Sequence, residues 1–406
     1  MTARRCFLIG IGMGNPATLT FEARELLRVA PLVAGARRML DCVADIMTGS
    51  RFEGYSADSV AEAFAACRGS GAPCVLFSGD TGFHSGATAL RVRLEADGWT
   101  VTTCPGISSA QYLAARLGRS WQDWRLESAH GAGCDLGCAF APANGERVFF
   151  LTGGAVLPCT IATYLCDHGF PDAALTVASR LSYADEHMWQ GSAAAYCGQA
   201  DAEPACVLVE RALPALPCGA LDDGFFLRGG HDAAVVPMTK RFVRAAVLSL
   251  LAPADGDCVW DIGAGTGAVT IDLARAARCH VYAVEARAEA CALIAENRRR
   301  AGCANVDVVH GHAPEAFSRL PTPQAVFVGG SGGALPAIVR AVCDTGARLV
   351  VSAATLETLS ACERLSREQG RRCDVTQLSV AVTRAVGSHR LLSAQNPVWL
   401  VSFGAP

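Results

Sequence analysis

The apolar positions of the chain fall in short runs closed by glycine, proline or small polar residues, and between the runs the apolar spacing lengthens to that of helices. In the second half this predicts strands at 258–262, 280–285, 305–310, 325–329 and 347–352, each followed by a helical stretch. The last helix, near 355–369, leads to runs at 374–382 and 396–403 with no long helix between them, which reads as a terminal hairpin. The first half alternates as well, with strands near 6–11, 74–78, 100–103, 147–151 and 205–209. Its glycine loops are spread over three places, so two α/β lobes with a ligand between them are expected there. Strand–glycine-loop–helix openings occur at Cys6–Gly14 and Cys258–Gly267 and are not copies of one another, so two different domains are expected and no repeat. Pro, Gly and Asp concentrate in RALPALPCGALDDGFFLRGG (211–230), which places a boundary near 213–220. The expected division is a first domain over 1–213, a linker over 214–224 and a second domain over 225–406.

Composition narrows the class. A chain of 406 residues is too long for one ordinary core, and 51% hydrophobic with 18% charged residues suits well-buried α/β units. No apolar stretch is long enough to span a membrane, and the opening MTARRCFLIGIGMG is broken early by glycine, so it reads as a first strand and not a signal peptide. A net charge of −3 gives no basic footprint for nucleic acid. Lys240 is the only lysine, so 34 of the 35 basic residues are arginine, whose fork pairs with carboxylates and suits a polyanionic small substrate. Codon bias is the plainer source of the general excess. The 19 cysteines form no CxxC, and many, such as Cys74, Cys206 and Cys258, sit in apolar runs as small hydrophobes. His130, Cys134 and Cys138 have the spacing of half a metal site, but with no second half no metal is expected. A reducing, cytoplasmic setting follows.

The segment Asp261-Ile262-Gly263-Ala264-Gly265-Thr266-Gly267 closes a strand and opens a helix. Its glycines let the backbone approach a ligand, and Glu285 ends the next strand 18 residues later, where a carboxylate can take both ribose hydroxyls. GxGxG, in place of GxGxxG, favours a methionine-type ligand over a pyrophosphate. Gly311-His312-Ala313-Pro314 and Gly329-Gly330-Ser331-Gly332-Gly333 fall at further strand ends. The latter stands where amino-group methyltransferases carry Asn or Asp before two prolines, so a carbon nucleophile is the expected target. MTKRFVRA (238–245), WDIGAGTG (260–267), VVHGHAPEA (308–316), VFVGGSGG (326–333), ATLETL (354–359) and NPVWLVS (396–402) together resemble the cobalamin-pathway methyltransferases that alkylate C15 and decarboxylate the C12 acetate. That resemblance covers about 225–404 and implies a Rossmann-like class I fold. It implies that Thr239, Gly263, Ala264, Gly265, Thr266, Gly267, Glu285, His312 and Ala313 hold S-adenosylmethionine. Phe242 stands where that family usually has Glu and His312 where it usually has Asp; a neutral imidazole nitrogen can still accept from adenine N6.

In the first half, Gly10, Gly12 and Gly14 follow the first strand, Ser78-Gly79-Asp80-Thr81 a second, and Pro105-Gly106-Ile107-Ser108-Ser109 a third. Each alone reads as a turn. Together with ASRLSYADEH (178–187) they resemble the tetrapyrrole methylase family over about 5–211. The resemblance implies that family's two-lobed fold, with Gly79, Asp80, Thr81, Ser108 and Ser109 at the cofactor and the Gly10–Gly14 loop along the substrate trough. The two resemblances in one chain match the fused precorrin C5,C15-methyltransferase (decarboxylating) arrangement. They imply a tetrapyrrole substrate, S-adenosylmethionine, no metal, no nucleic-acid or membrane partner, and a homo-oligomer. Lys240, Arg241 and Arg244, beside Thr239, are candidates to bind substrate carboxylates, and no dedicated catalytic nucleophile is expected. The rival readings are a fused RNA methyltransferase, which calls for a basic aromatic groove, and a tetrapyrrole carrier with one inactive domain.

Overall fold

The computed structural model describes residues 4–129, 133–229 and 236–404. The first sheet comprises β1 (Arg4–Gly10), β2 (Leu32–Gly35), β3 (Ser50–Glu53), β4 (Cys74–Phe77) and β5 (Trp99–Cys104) in the order β3-β2-β4-β1-β5. All its pairings are parallel. The second comprises β6 (Arg125–Ser128), β7 (Arg147–Leu151), β8 (Ala174–Ser179), β9 (His187–Ser192) and β10 (Ala205–Glu210) in the order β6-β7-β10-β8-β9. It is antiparallel except for β6 on β7. These are the two lobes expected of the first half.

The third sheet comprises β11 (Cys258–Ile262), β12 (His280–Glu285), β13 (Val306–His310), β14 (Ala325–Val328), β15 (Arg348–Ala353) and β16 (Cys373–Leu378). After a separate ribbon of β17 (Ala381–Val386) and β18 (His389–Ala394), β19 (Val398–Phe403) returns to it. The order is β13-β12-β11-β14-β15-β19-β16, parallel up to β15, with β19 antiparallel to both its neighbours. The final strands are therefore not a simple hairpin: the ribbon intervenes, and the last strand wedges between β15 and β16.

Alternate residues of β11 to β15 feed two cores. Val259, Val281, Val306, Phe327 and Val350 face one side, packed by the helices Arg241–Leu251, Ala268–Ala276 and Ala288–Arg300. Trp260, Val284, Val326, Leu349 and Val351 face the other, packed by Leu335–Cys343 and Leu356–Glu368. Burial of both faces is why these strands read as continuous apolar runs. Among the described residues no helix is long and apolar enough to cross a membrane.

The halves meet through a polar seam. Tyr164 Oη donates to the Ala304 carbonyl at 2.8 Å, and Ala304 is buried in the core of the second sheet. Arg211 is held between the rings of Phe140 and Phe170 and donates to the Phe140 carbonyl at 2.8 Å and the Gly302 carbonyl at 3.4 Å. Beside them runs a chain of alternating carboxylates and imidazoles. His280 faces Asp135 through Nδ1 and Asp307 through Nε2, each at 2.9 Å, and Asp307 also meets His168 at 2.9 Å.

Candidate active sites

In an open parallel sheet the ligand crevice lies where successive crossovers leave on opposite sides, at the carboxyl ends of the strands. In the third sheet that point is between β11 and β14, and a cavity of about 1360 Å³ opens there. Gly263 follows β11 with φ +70°, and a Cβ on it would collide with the Gly330 carbonyl after β14. Only glycine lets these two loops touch. Glu285, at the end of β12, is almost fully buried; its Oε2 accepts from Gly265 N–H at 2.8 Å and its Oε1 from Arg287 N–H at 3.0 Å. Thr239, Lys240, Ala264, Gly265, His312 and Ala313 also line the cavity.

Asp261 was not among the expected site residues, though it opens the DIGAGTG motif. It is fully buried in the cavity wall, its Oδ2 accepts from the Thr270 hydroxyl, and its Oδ1 has no partner among the described residues. Burial pushes its carboxyl up to about 7, with Thr270 pulling the other way.

Four expected residues lie elsewhere. Thr266 is buried behind the loop, and Gly267 is the N-cap of the helix Ala268–Ala276, packed on Ile294, so neither forms the cavity wall. Arg244 is fully buried: it donates to Asp272 and Asp223 at 2.7 Å, to the Thr239 carbonyl at 2.6 Å and to the Leu221 carbonyl. It braces the segment carrying Thr239 and has no free edge for a substrate carboxylate. Arg241 turns to the linker, donating from Nε to the Ala220 carbonyl at 3.1 Å. Lys240 alone of the three reaches the cavity, 3.8 Å from Asp223. Phe242 is half exposed and outside the cavity wall. His130, from the weighed metal half-site, lies outside the described residues, and no cluster of three or more potential metal ligands occurs among those described.

In the first half the three glycine loops converge. A Cβ on Gly10 would lie 2.7 Å from Gly106 N and 2.8 Å from the Gly79 carbonyl, so the ends of β1, β4 and β5 touch. Gly12 and Gly79 exchange backbone hydrogen bonds of 3.1 and 2.7 Å. Asp80 ties the junction: Oδ1 accepts from Gly106 N–H at 3.1 Å and Oδ2 from Gly82 N–H at 2.8 Å. Thr81 and Ser109 are buried beside it, and Ser108 caps the helix Ser109–Leu117 in a capping box with Gln111. Gly14 packs against Tyr183 from the turn after β8.

Comparison with known proteins divides the chain in the same way. A family described as Tetrapyrrole (Corrin/Porphyrin) Methylases matches residues 5–196, and one described as Precorrin methyltransferase domain matches 231–403. A Sinorhizobium protein named precorrin-6Y C(5,15)-methyltransferase (decarboxylating) is 36% identical over 361 residues, which is 86% of this chain and 84% of that protein. A Mycobacterium tuberculosis protein of the same name is 29% identical over 87% of this chain and 88% of its own length. A Salmonella typhimurium protein named cobalt-precorrin-6B C(15)-methyltransferase (decarboxylating) is 36% identical over 45% of this chain and 94% of its own length.

Proposed function

The chain belongs to the family of precorrin-6Y C(5,15)-methyltransferases (decarboxylating), and we propose that its first half methylates C5 of the macrocycle while its second methylates C15 and removes carbon dioxide from the C12 acetate. The observation that carries this reading is the cavity at the β11–β14 crossover, where glycine loops meet beside two buried carboxylates. S-adenosylmethionine, when bound, supplies an electrophilic methyl group on a sulfonium centre. The residues present fit it. A carboxylate has about four lone-pair sites, so Glu285, with two taken by backbone N–H groups and a third by Arg287 Nε at 3.4 Å, keeps capacity for a ribose hydroxyl. The unpartnered Asp261 Oδ1 suits the ammonium of an amino-acid group. Thr239, Gly263, Ala264, Gly265, His312 and Ala313 complete that holding set; Gly79, Asp80, Thr81, Ser108 and Ser109 are its counterpart in the first half.

The substrate's own electron-rich meso carbon is the nucleophile, so the chain needs to orient it, exclude water and leave the methyl path clear. The acetate next to C15 lies in the same water-poor place, where an unpaired carboxylate is destabilised and carbon dioxide leaves its electrons to the conjugated macrocycle. The half-length relative, whose name joins C15 methylation with decarboxylation, supports one site for both. We place the division at the linker over 214–224; the end of β10 at Glu210 and the packing of Leu221 and Phe226 into the second half's core support that reading.

The test is to give the full chain the precursor tetrapyrrole and S-adenosylmethionine and to weigh the product. The unaltered chain should add two methyl groups and lose one carbon dioxide. Gly263→Ala, which forces the β11 and β14 loops apart, should leave a product with one added methyl and its acetate intact. Carbon dioxide loss undiminished in that variant would overturn the assignment.

A further inference from the structure

The turn after β8 binds the two sheets of the first half together, and it does so under strain. Arg180 and Ser182 have φ of +51° and +69°, a left-handed backbone that L side chains disfavour and that persists only where the surroundings impose it. Here they do. Ser182 Oγ accepts from Asn15 N–H at 3.2 Å, Ser182 N–H donates to Glu186 at 2.7 Å, and Glu186 is paired with Arg116 at 2.7 Å. The turn thereby lays Tyr183 on Gly14, at the end of the first glycine loop.

Across the seam, on the helix Arg37–Cys42, Arg38 donates from Nη1 to Tyr183 Oη at 2.6 Å and from Nη2 to Ser78 Oγ at 3.5 Å. Burial raises the Tyr183 phenol above its usual value while Arg38 pulls it down, so near neutral pH the arginine rests on a neutral oxygen. Its neighbours differ: Arg180 is paired with Asp185 at 2.6 Å and Arg116 with Glu186. Among the described residues Arg38 is exposed and has no carboxylate partner. A guanidinium meets a carboxylate charge to charge and with two parallel hydrogen bonds, where a neutral hydroxyl offers it a single acceptor. Gly14 and Ser78 follow β1 and β4, whose ends form the Gly10–Gly79–Gly106 junction, so this cation stands at the edge of the first half's site.

We propose that Arg38 is the first half's anchor for a side-chain carboxylate of the tetrapyrrole, and that Tyr183 parks this arginine until the carboxylate displaces it. The proposal rests on reading the first half as the C5-methylating unit. The alternative role, a plain strap between the two sheets, makes the opposite forecast for one of two variants. Arg38→Met removes the cation; Tyr183→Phe cuts the same strap but leaves the cation free. With the full chain and the precursor tetrapyrrole, Arg38→Met should raise KM for C5 methylation by about tenfold to a hundredfold, the loss of a charge-assisted contact. C15 methylation and carbon dioxide loss should be unchanged, and Arg38→Lys should recover part of the affinity. Tyr183→Phe should leave KM for C5 methylation unchanged or lower it. Equal impairment in Arg38→Met and Tyr183→Phe, or an Arg38→Met chain of normal KM and unchanged melting temperature, overturns the proposal. Failure of the unaltered chain to methylate C5 would instead overturn the reading beneath it.

Discussion

Glu285 holds two backbone N–H groups and still has lone pairs to offer, so its removal acts on the loop and on a ligand together. Glu285→Ala should weaken S-adenosylmethionine binding at the second-half site by about 1.5–3 kcal/mol. Glu285→Gln, which keeps one acceptor, should lose less. Calorimetry on the full chain reads both, with the first half's site as internal reference; unchanged affinity in Glu285→Ala would reduce it to a loop tie. Glu285 and Gly263 were legible in the sequence because each belongs to a local pattern, a strand end or a glycine loop, that fixes its place; Thr239 came from the family resemblance alone. Arg244 was not. Its partners Asp223 and Asp272 lie 21 and 28 residues away, and a basic residue beside the motif threonine gives no local sign of being wholly buried. Arg38 and Tyr183, separated by 145 positions, were equally hidden, since only the fold brings them together.

At the scale of elements, the first half depends on three strand ends in contact. Gly10→Ala places a methyl group against the backbone of both Gly79 and Gly106, and neither neighbour has a flexible side chain to yield. The expected product of that variant lacks the C5 methyl but has the C15 methyl and has lost its acetate carboxyl, as mass spectrometry would show. Loss of both methylations with an unchanged melting curve would mean that the two sites depend on each other. The central strands of the third sheet could be placed from sequence nearly to the residue, because burial on both faces writes an unbroken apolar run. Short strands at or near sheet edges escaped: β3 is SRFE and mostly exposed, β6 is RLES, and β9 is HMWQGS with no buried position. The β17–β18 ribbon escaped for the same reason, being exposed on nearly every residue.

At the scale of the whole molecule, the halves are joined in part by charge. Burial alone would lower the pKa of His280, but Asp135 and Asp307 outweigh it and raise it to about 9. A histidine whose folded pKa is raised adds stability that is complete below its unfolded value and is lost as pH climbs through the folded one. The melting advantage of the unaltered chain over His280→Gln should therefore be full at pH 6 and gone by about pH 10. Its size should be about 1–3 kcal/mol and toward the lower end, because the Asp135 and Asp307 side chains are 48% and 35% exposed and solvent screens them. A constant difference across that range would show that the seam does not raise the His280 pKa. None of this could be read from periodicity, since residues 135, 168, 280 and 307 share no motif. The strand order of the third sheet also sets a timetable for synthesis. Among the described residues its last strand, β19, is the only partner of β16, and it covers the open edge of β15. While the ribosome is still making residues 379–397, the nascent sheet presents an unpaired edge and a loose strand, the features that invite wrong pairings. The first half, complete by Glu210, has by then had about 170 residues' worth of translation or more in which to fold. The second-half residues of the seam, at 280–307, all follow the whole first half in the chain, so assembly runs in one direction: the late half settles onto the early one.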